Sequence, residues 1–89
     1  IKEDKQQLAL SVFPNPTSNQ LTIITSKNIG SIKAELVDIQ GKAVFVSDLN
    51  NNTNLVNQHT FDVSGVAKGI YILNLSNLEG KQSLKISIQ

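Results

Sequence analysis

Few residues of this chain have the chemistry that catalysis needs, and they are scattered. The chain has one histidine, no cysteine and seven carboxylates in 89 residues. A Ser-His-Asp arrangement would have to use His59, yet no Gly-x-Ser-x-Gly segment is present to expose a serine nucleophile. The polar neighbours of His59, Gln58 and Thr60, predict a solvated residue at the start of an edge strand. We therefore expect no catalytic residue.

The carboxylates lack the spacing of a metal site. No Asp-x-Asp-x-Asp-Gly loop exists for calcium, and no pair of histidines suits zinc. Asp38 and Asp62 each precede a glycine by three residues, which favours a role in capping a turn or a strand end. A calcium site assembled from distant loops stays open as an alternative, because its oxygen ligands can lie far apart in sequence. We expect no cofactor and no bound metal.

The charged residues also limit the kinds of partner. All eight basic residues are lysines and are scattered, arginine and tryptophan are absent, and the net charge is +1. Nucleic-acid binding usually needs a dense basic patch with arginine and stacking aromatics, so we expect no nucleic-acid partner. No apolar run approaches the roughly 18 residues of a transmembrane segment. Lys81 and Lys85 are predicted to point outward on the last strand, where lysine discourages edge-to-edge aggregation.

The elements that hold these residues are predicted to be β-strands. Apolar and polar residues alternate through seven short runs that are rich in β-branched side chains. In the first run this alternation puts Leu8, Leu10 and Val12 on one face. Glycines at Gly41 and Gly80 predict hairpins between the third and fourth runs and between the last two, and the polar segment 50–54 predicts an exposed loop. The predicted runs lie at 8–12, 21–25, 31–38, 42–48, 61–63, 70–76 and 81–88.

Seven strands in about 80 residues predict an all-β fold, an immunoglobulin-like antiparallel β-sandwich. Tyr71, near the start of the sixth run, is placed where such sandwiches have a tyrosine corner, with its hydroxyl bonded to backbone a few residues upstream. Phe61 and Tyr71 are predicted to point inward. A small barrel of five or six strands stays open as an alternative. The domain is expected at 8–89, with 1–7 as a linker to an upstream cargo.

Four segments in order resemble one known family, the type A C-terminal sorting domains of the type IX (Por) secretion system of Bacteroidetes. They are FPNP at 13–16, VDIQGKAV at 37–44, DVSGVAKGIYIL at 62–73, and GK at 80–81 with LKI at 84–86. Many members carry further lysines near the last residue, whereas here Ser87, Ile88 and Gln89 follow Lys85. The resemblance spans about 12–89 and implies that recognition uses Pro14, Asn15, Pro16, Asp38, Gly41, Lys42, Gly69, Tyr71, Gly80, Lys81 and Lys85.

The resemblance also implies a function. Such a domain ends an exported protein, travels through the periplasm, and is recognised by the outer-membrane translocon and its shuttle protein. In many members a surface sortase then cuts before the domain, and the cargo is released or attached to anionic lipopolysaccharide at the cell surface. The alternative is a structural module of the fibronectin or immunoglobulin type, or an adhesin repeat of an exported protein.

Overall fold

The computed structural model describes residues 8–78 and 80–89, so the predicted linker 1–7 lies outside the described residues. The described part of the chain contains no helix and forms seven strands, which confirms the all-β prediction. The strands are β1 (Ala9–Phe13), β2 (Gln20–Thr25), β3 (Gly30–Val37), β4 (Ala43–Asn51), β5 (Asn57–Asp62), β6 (Gly69–Asn77) and β7 (Gly80–Ile88).

The strands form two antiparallel sheets. The smaller has the order β1-β2-β5 and the larger β4-β3-β6-β7. The prediction of a two-sheet sandwich is confirmed, and the barrel alternative is wrong because each sheet keeps its own two edge strands. Both predicted hairpins are present, β3–β4 and β6–β7, since short glycine-containing turns favour pairing between neighbouring strands.

The core consists of aliphatic side chains from the facing surfaces of the two sheets. Ile32, Ala34 and Leu36 of β3 are buried, as their alternation predicts. Removing apolar side chains from water is the main stabilising effect available to a domain without disulfides. The largest fully buried apolar side chains are Leu21, Ile23, Ile32, Leu36, Val63, Leu73, Leu75 and Ile86.

Two aromatic rings join the sheets along one side. Phe45 of β4 and Phe61 of β5 stack with their centroids 5.3 Å apart. Both rings are half-buried against the core, so the inward prediction for Phe61 holds only in part. Because β4 and β5 are edge strands of different sheets, the stack covers the gap between those edges.

The predicted alternation of β1 is wrong at Leu10. This side chain is 54% exposed, while Leu8 and Ala9 are both buried. The register between β1 and β2 shifts between Ala9 and Ser11, as at a β-bulge. An extra residue in one strand reverses the facing of the side chains that follow, so Leu10 points to solvent.

The predicted loop 50–54 is also corrected, because Asn50 and Asn51 belong to β4. Asn51 is 1% exposed, and its amide nitrogen donates to the carbonyl oxygens of Ser26 and Leu55, each at 2.9 Å. Its side-chain oxygen accepts from the backbone N–H and the hydroxyl of Thr53, at 3.1 and 2.7 Å. These four bonds satisfy the buried carboxamide and make it part of the interior.

Candidate recognition surface

The predicted tyrosine corner is present. Tyr71 is 5% exposed, and its hydroxyl donates to the carbonyl oxygen of Ala67, four residues upstream. Gly69, which begins β6, has a φ of +154°, and a Cβ placed there would lie 3.8 Å from Cε1 of the Tyr71 ring. The ring therefore holds the segment that crosses from β5 to the start of β6.

The Asp38–Lys42 segment forms a turn held by its own first residue. Oδ1 of Asp38 accepts from the backbone N–H groups of Gln40 and Lys42, both at 2.9 Å, and its backbone pairs with Lys42 and Gly41. Gly41 has a φ of +87°, which only glycine adopts readily. The predicted capping role of Asp38 is confirmed, and the turn leaves Ile39 81% exposed and Lys42 exposed at its surface.

The Phe-Pro-Asn-Pro segment extends the outer edge of β7. Both of its X-Pro bonds are cis. Asn15 donates its side-chain amide to the carbonyl oxygen of Lys85 at 2.9 Å and accepts from the backbone N–H of Ser87 at 3.1 Å. Its carboxamide thus pairs with β7 as a neighbouring peptide group would.

Thr17 continues this pairing with its backbone. Its N–H donates to the carbonyl oxygen of Ser87 at 2.9 Å, and its carbonyl oxygen accepts from the N–H of Gln89 at 2.8 Å. The bridge between Thr17 and Ile88 is parallel, and Thr17 is buried. Sequence reasoning did not single out Thr17, since its role depends on backbone groups about 70 residues away.

Strand register shows that most predicted site residues meet at one end of the sandwich. Val37, which precedes the Asp38 turn, pairs with Ile72, and Ile72 pairs with Lys85. Gly69 pairs with Ile88, which the Pro-Asn-Pro segment adjoins. We call this the distal end; it comprises 14–19, 38–42, 63–71 and 85–89. It contains nine of the predicted residues: Pro14, Asn15, Pro16, Asp38, Gly41, Lys42, Gly69, Tyr71 and Lys85.

Gly80 and Lys81 lie at the opposite end of the sandwich, away from the other predicted residues. Lys81 pairs with Ser76, which pairs with Lys33 near the start of β3. Lys85 lies four positions after Lys81 on β7, a distance of about 13 Å along a strand. A single surface around one of these lysines therefore need not include the other, although both are exposed as predicted.

The described chain also begins at this opposite end, which we call the proximal end. The backbone N–H groups of Leu8 and Ala9 donate to Oε1 of Gln82 at 3.1 and 3.0 Å. The carbonyl oxygen of Leu8 accepts from the N–H of Ser26, just after β2. Anything joined before Leu8 is thus attached at the proximal end, away from the distal motifs.

An open cleft of about 400 Å³ lies beside the Pro-Asn-Pro segment. Phe13, which is 45% exposed, and the rings of Pro14 and Pro16 line it with 17–20 and Thr22. The cleft is thus a mixed apolar and polar depression at the distal end.

His59 and Asp62 make hydrogen bonds to neighbouring residues. His59 is half-buried on edge strand β5, and its Nε2 lies 3.3 Å from Oγ1 of Thr25. Oδ1 of Asp62 accepts from the backbone N–H and the hydroxyl of Ser64, at 2.9 and 2.7 Å, and these bonds lower the pKa of Asp62. Within 8–78 and 80–89, no three metal-ligating side chains come together. No helix of the described chain is long and apolar enough to cross a membrane.

A comparison with known families finds a match over most of the chain. The family described as secretion system C-terminal sorting domain, a component of type IX secretion, matches residues 11–89. Domains of this family are C-terminal signals, carry a cargo at their N-terminal side, and are handled by the type IX system for export to the surface or the medium. A comparison with curated proteins finds no match.

Proposed function

Because this chain belongs to the secretion system C-terminal sorting domains, we propose that it carries an N-terminally fused cargo through the periplasm to the type IX translocon. The outer-membrane shuttle protein then receives it, and a surface sortase cuts before the domain to release or anchor the cargo. The main support, beyond the family match, is the separation of the distal motifs from the proximal point of attachment. A cargo at Leu8 leaves the distal end open to a receptor.

A reporter fusion tests this proposal. A reporter with its own periplasmic signal, joined before Ile1, is expressed in a type IX-competent host and in the same host without its translocon. We expect the reporter outside the cell only in the competent host, while the reporter alone stays in the periplasm in both. Retention of the fusion in the periplasm of the competent host would contradict the proposal and favour the structural-module alternative.

The proposed cleavage has its own measurement. Mass spectrometry of the exported reporter should find a new C-terminus before Leu8, because β1 begins at Ala9 and a folded strand resists proteolysis. A reporter that reaches the surface still attached to 8–89 would contradict the proposed cleavage by a sortase. It would not contradict the proposed export.

We also propose that the domain has no catalytic role. Asp38 and Asp62 hold turns through bonds to neighbouring backbone groups, and His59 bonds to Thr25. His59→Ala is therefore expected to leave export of the reporter unchanged. Loss of export by a His59→Ala domain with native circular dichroism would contradict this proposal.

A further inference from the structure

The outer face of the larger sheet carries an exposed apolar patch at its distal end. Tyr71 and Leu73 point inward, so Ile70 and Ile72 of the same strand point outward, and Ile70 is 40% exposed. Val37 pairs directly with Ile72, and paired side chains touch on the same face. Val44 adjoins them at a register shift and is 40% exposed. We call Val37, Val44, Ile70 and Ile72 the distal patch.

A lysine flanks the distal patch on each side. Lys85 pairs with Ile72 on edge strand β7, and Lys42 directly precedes edge strand β4. Both lysines are exposed. Of the nearby carboxylates, Glu35 borders the patch on its proximal side, and Asp38 has Oδ1 engaged by two backbone N–H groups. Each lateral margin of the patch therefore carries one exposed lysine, and the Asp38 carboxylate, which keeps its negative charge, lies in the same turn as Lys42.

The two flanking lysines argue against a second copy of this chain as the occupant. In a two-fold contact each patch would face its own image, which brings the lysines of the two copies together. The described chain begins at the proximal end, so an upstream cargo is attached at the end away from the patch. Lipid binding usually needs four to eight clustered basic residues, or large apolar side chains that insert. Only two lysines border the distal patch, whose apolar residues are β-branched, because Lys33 and Lys81 of the same sheet face lie at the proximal end.

We propose that the distal patch, with Lys42 and Lys85, docks on a protein of the export machinery that presents apolar side chains between two groups of carboxylates. This inference rests on the proposed function and names the surface that serves it. A patch of four apolar residues is smaller than a stable interface, which buries about 800 Å² per partner. A small contact suits a signal that must be bound and then released.

Charge reversal in the reporter fusion tests this surface. Lys42→Glu with Lys85→Glu should lower the exported reporter about tenfold and leave it in the periplasm, because each reversed lysine would face a carboxylate. The matched control is Lys27→Glu with Lys33→Glu, two exposed lysines away from the patch. Equal losses in both pairs, or no loss in either, would overturn the proposal.

An apolar substitution provides a second test that does not depend on charge. Ile70→Thr keeps a β-branched residue in β6 and should lower export several-fold. Its control is Leu10→Thr, an exposed aliphatic residue on the other sheet, which should export normally. Circular dichroism and melting temperature of each purified domain must match the parent. Normal export by a folded Ile70→Thr domain would overturn the proposal.

Two binding measurements on the purified domain test the alternative occupants of the distal patch, a second copy of this chain and a membrane. Sedimentation should give a monomer, and flotation with vesicles of phosphatidylethanolamine and phosphatidylglycerol should show no binding. A dimer, or vesicle binding, that Lys42→Glu with Lys85→Glu abolishes would overturn the proposal in favour of a second copy or a membrane. If the unaltered domain exports no reporter, the proposed function itself fails. If the unaltered domain exports the reporter and the patch variants export it equally well, this inference alone fails.

Discussion

Asn15 shows how one side chain can take the place of a strand. Its carboxamide donates to the Lys85 carbonyl and accepts from the Ser87 amide, which is what a paired peptide group would do. Strand edges expose such unpaired groups, and proteins usually cover them. The same residue lies in the Pro-Asn-Pro motif, so this motif closes the edge of β7 and does not only end β1.

Replacing Asn15 by alanine should therefore loosen the end of β7. We expect a loss of about 1–2 kcal/mol in unfolding free energy, because two hydrogen bonds disappear. Chemical denaturation measures the loss, and hydrogen exchange at the Ser87 amide should accelerate. Asn50→Ala is the control, since its exposed side chain bonds only to another asparagine in the described contacts, Asn52. Equal effects of the two substitutions would show that Asn15 does not hold β7.

Tyr71 combines a buried ring with a bonded hydroxyl. Tyr71→Phe keeps the ring and should cost about 1 kcal/mol through the lost bond to Ala67. Tyr71→Ala also leaves a cavity and should cost about 3–5 kcal/mol, a large part of the roughly 5 kcal/mol expected for a domain of this size. Thermal melts of both variants measure the costs. If the Tyr71→Ala domain has the same melting temperature as the parent, the stabilising role of the tyrosine corner is contradicted.

Among the elements, the β3–β4 turn depends on backbone conformation and not on packing. Asp38 caps the turn, and Gly41 allows it with a φ of +87°. A Cβ at Gly41 would have no neighbour within 4 Å, so the cost of a side chain there is conformational strain alone. The turn matters for the distal end because it carries Ile39 and Lys42.

Gly41→Ala should thus destabilise the domain by about 1 kcal/mol, the cost of a left-handed conformation for an L-residue. Gly65→Ala is a matched control, because a Cβ there also meets open space and its φ is not in the left-handed region. We expect Gly65→Ala within about 0.5 kcal/mol of the parent. Denaturant midpoints compare the two, and equal stabilities would show that the glycine is not required.

In the molecule as a whole, the N-terminal and C-terminal parts of the described chain are hydrogen-bonded to each other. Residues 15–17 bond to 85–89, and Gln82 bonds to the backbone of Leu8 and Ala9. The last strand, β7, therefore bonds to the N-terminal part of the described chain at both of its ends, to Leu8 and Ala9 at one end and to 15–17 at the other. The distal end is complete only when both parts of the chain are folded.

Truncation after Ile86 should expose this dependence. It removes the buried side chain of Ile88 and the backbone pairing of Ser87 and Gln89 with Thr17. We expect a loss of about 3–5 kcal/mol, since a large buried aliphatic residue is deleted. Circular dichroism during heating measures the change. A truncated domain as stable as the parent would show that residues 87–89 are dispensable for folding.

The local features of the fold followed from the sequence by itself. Period-two alternation located six of the seven strands, glycine placement located the two hairpins, and Gly69 with Tyr71 located the corner. The fifth run was predicted at 61–63, whereas β5 is Asn57–Asp62, because its polar residues up to Thr60 carry no apolar alternation. Each of these depends on residues within a few positions of one another. Such features can be predicted from the sequence because backbone geometry and turn chemistry act over short stretches of chain.

The tertiary structure alone revealed which distant residues meet. The bulge at Leu10 depends on pairing with β2, and the burial of Asn51 depends on Ser26 and the backbone around it. The bonds of Asn15 to β7 join residues about 70 positions apart, and register separates Lys81 from Lys85. A local pattern carries no information about such contacts, because partner and register are set by packing of the whole core.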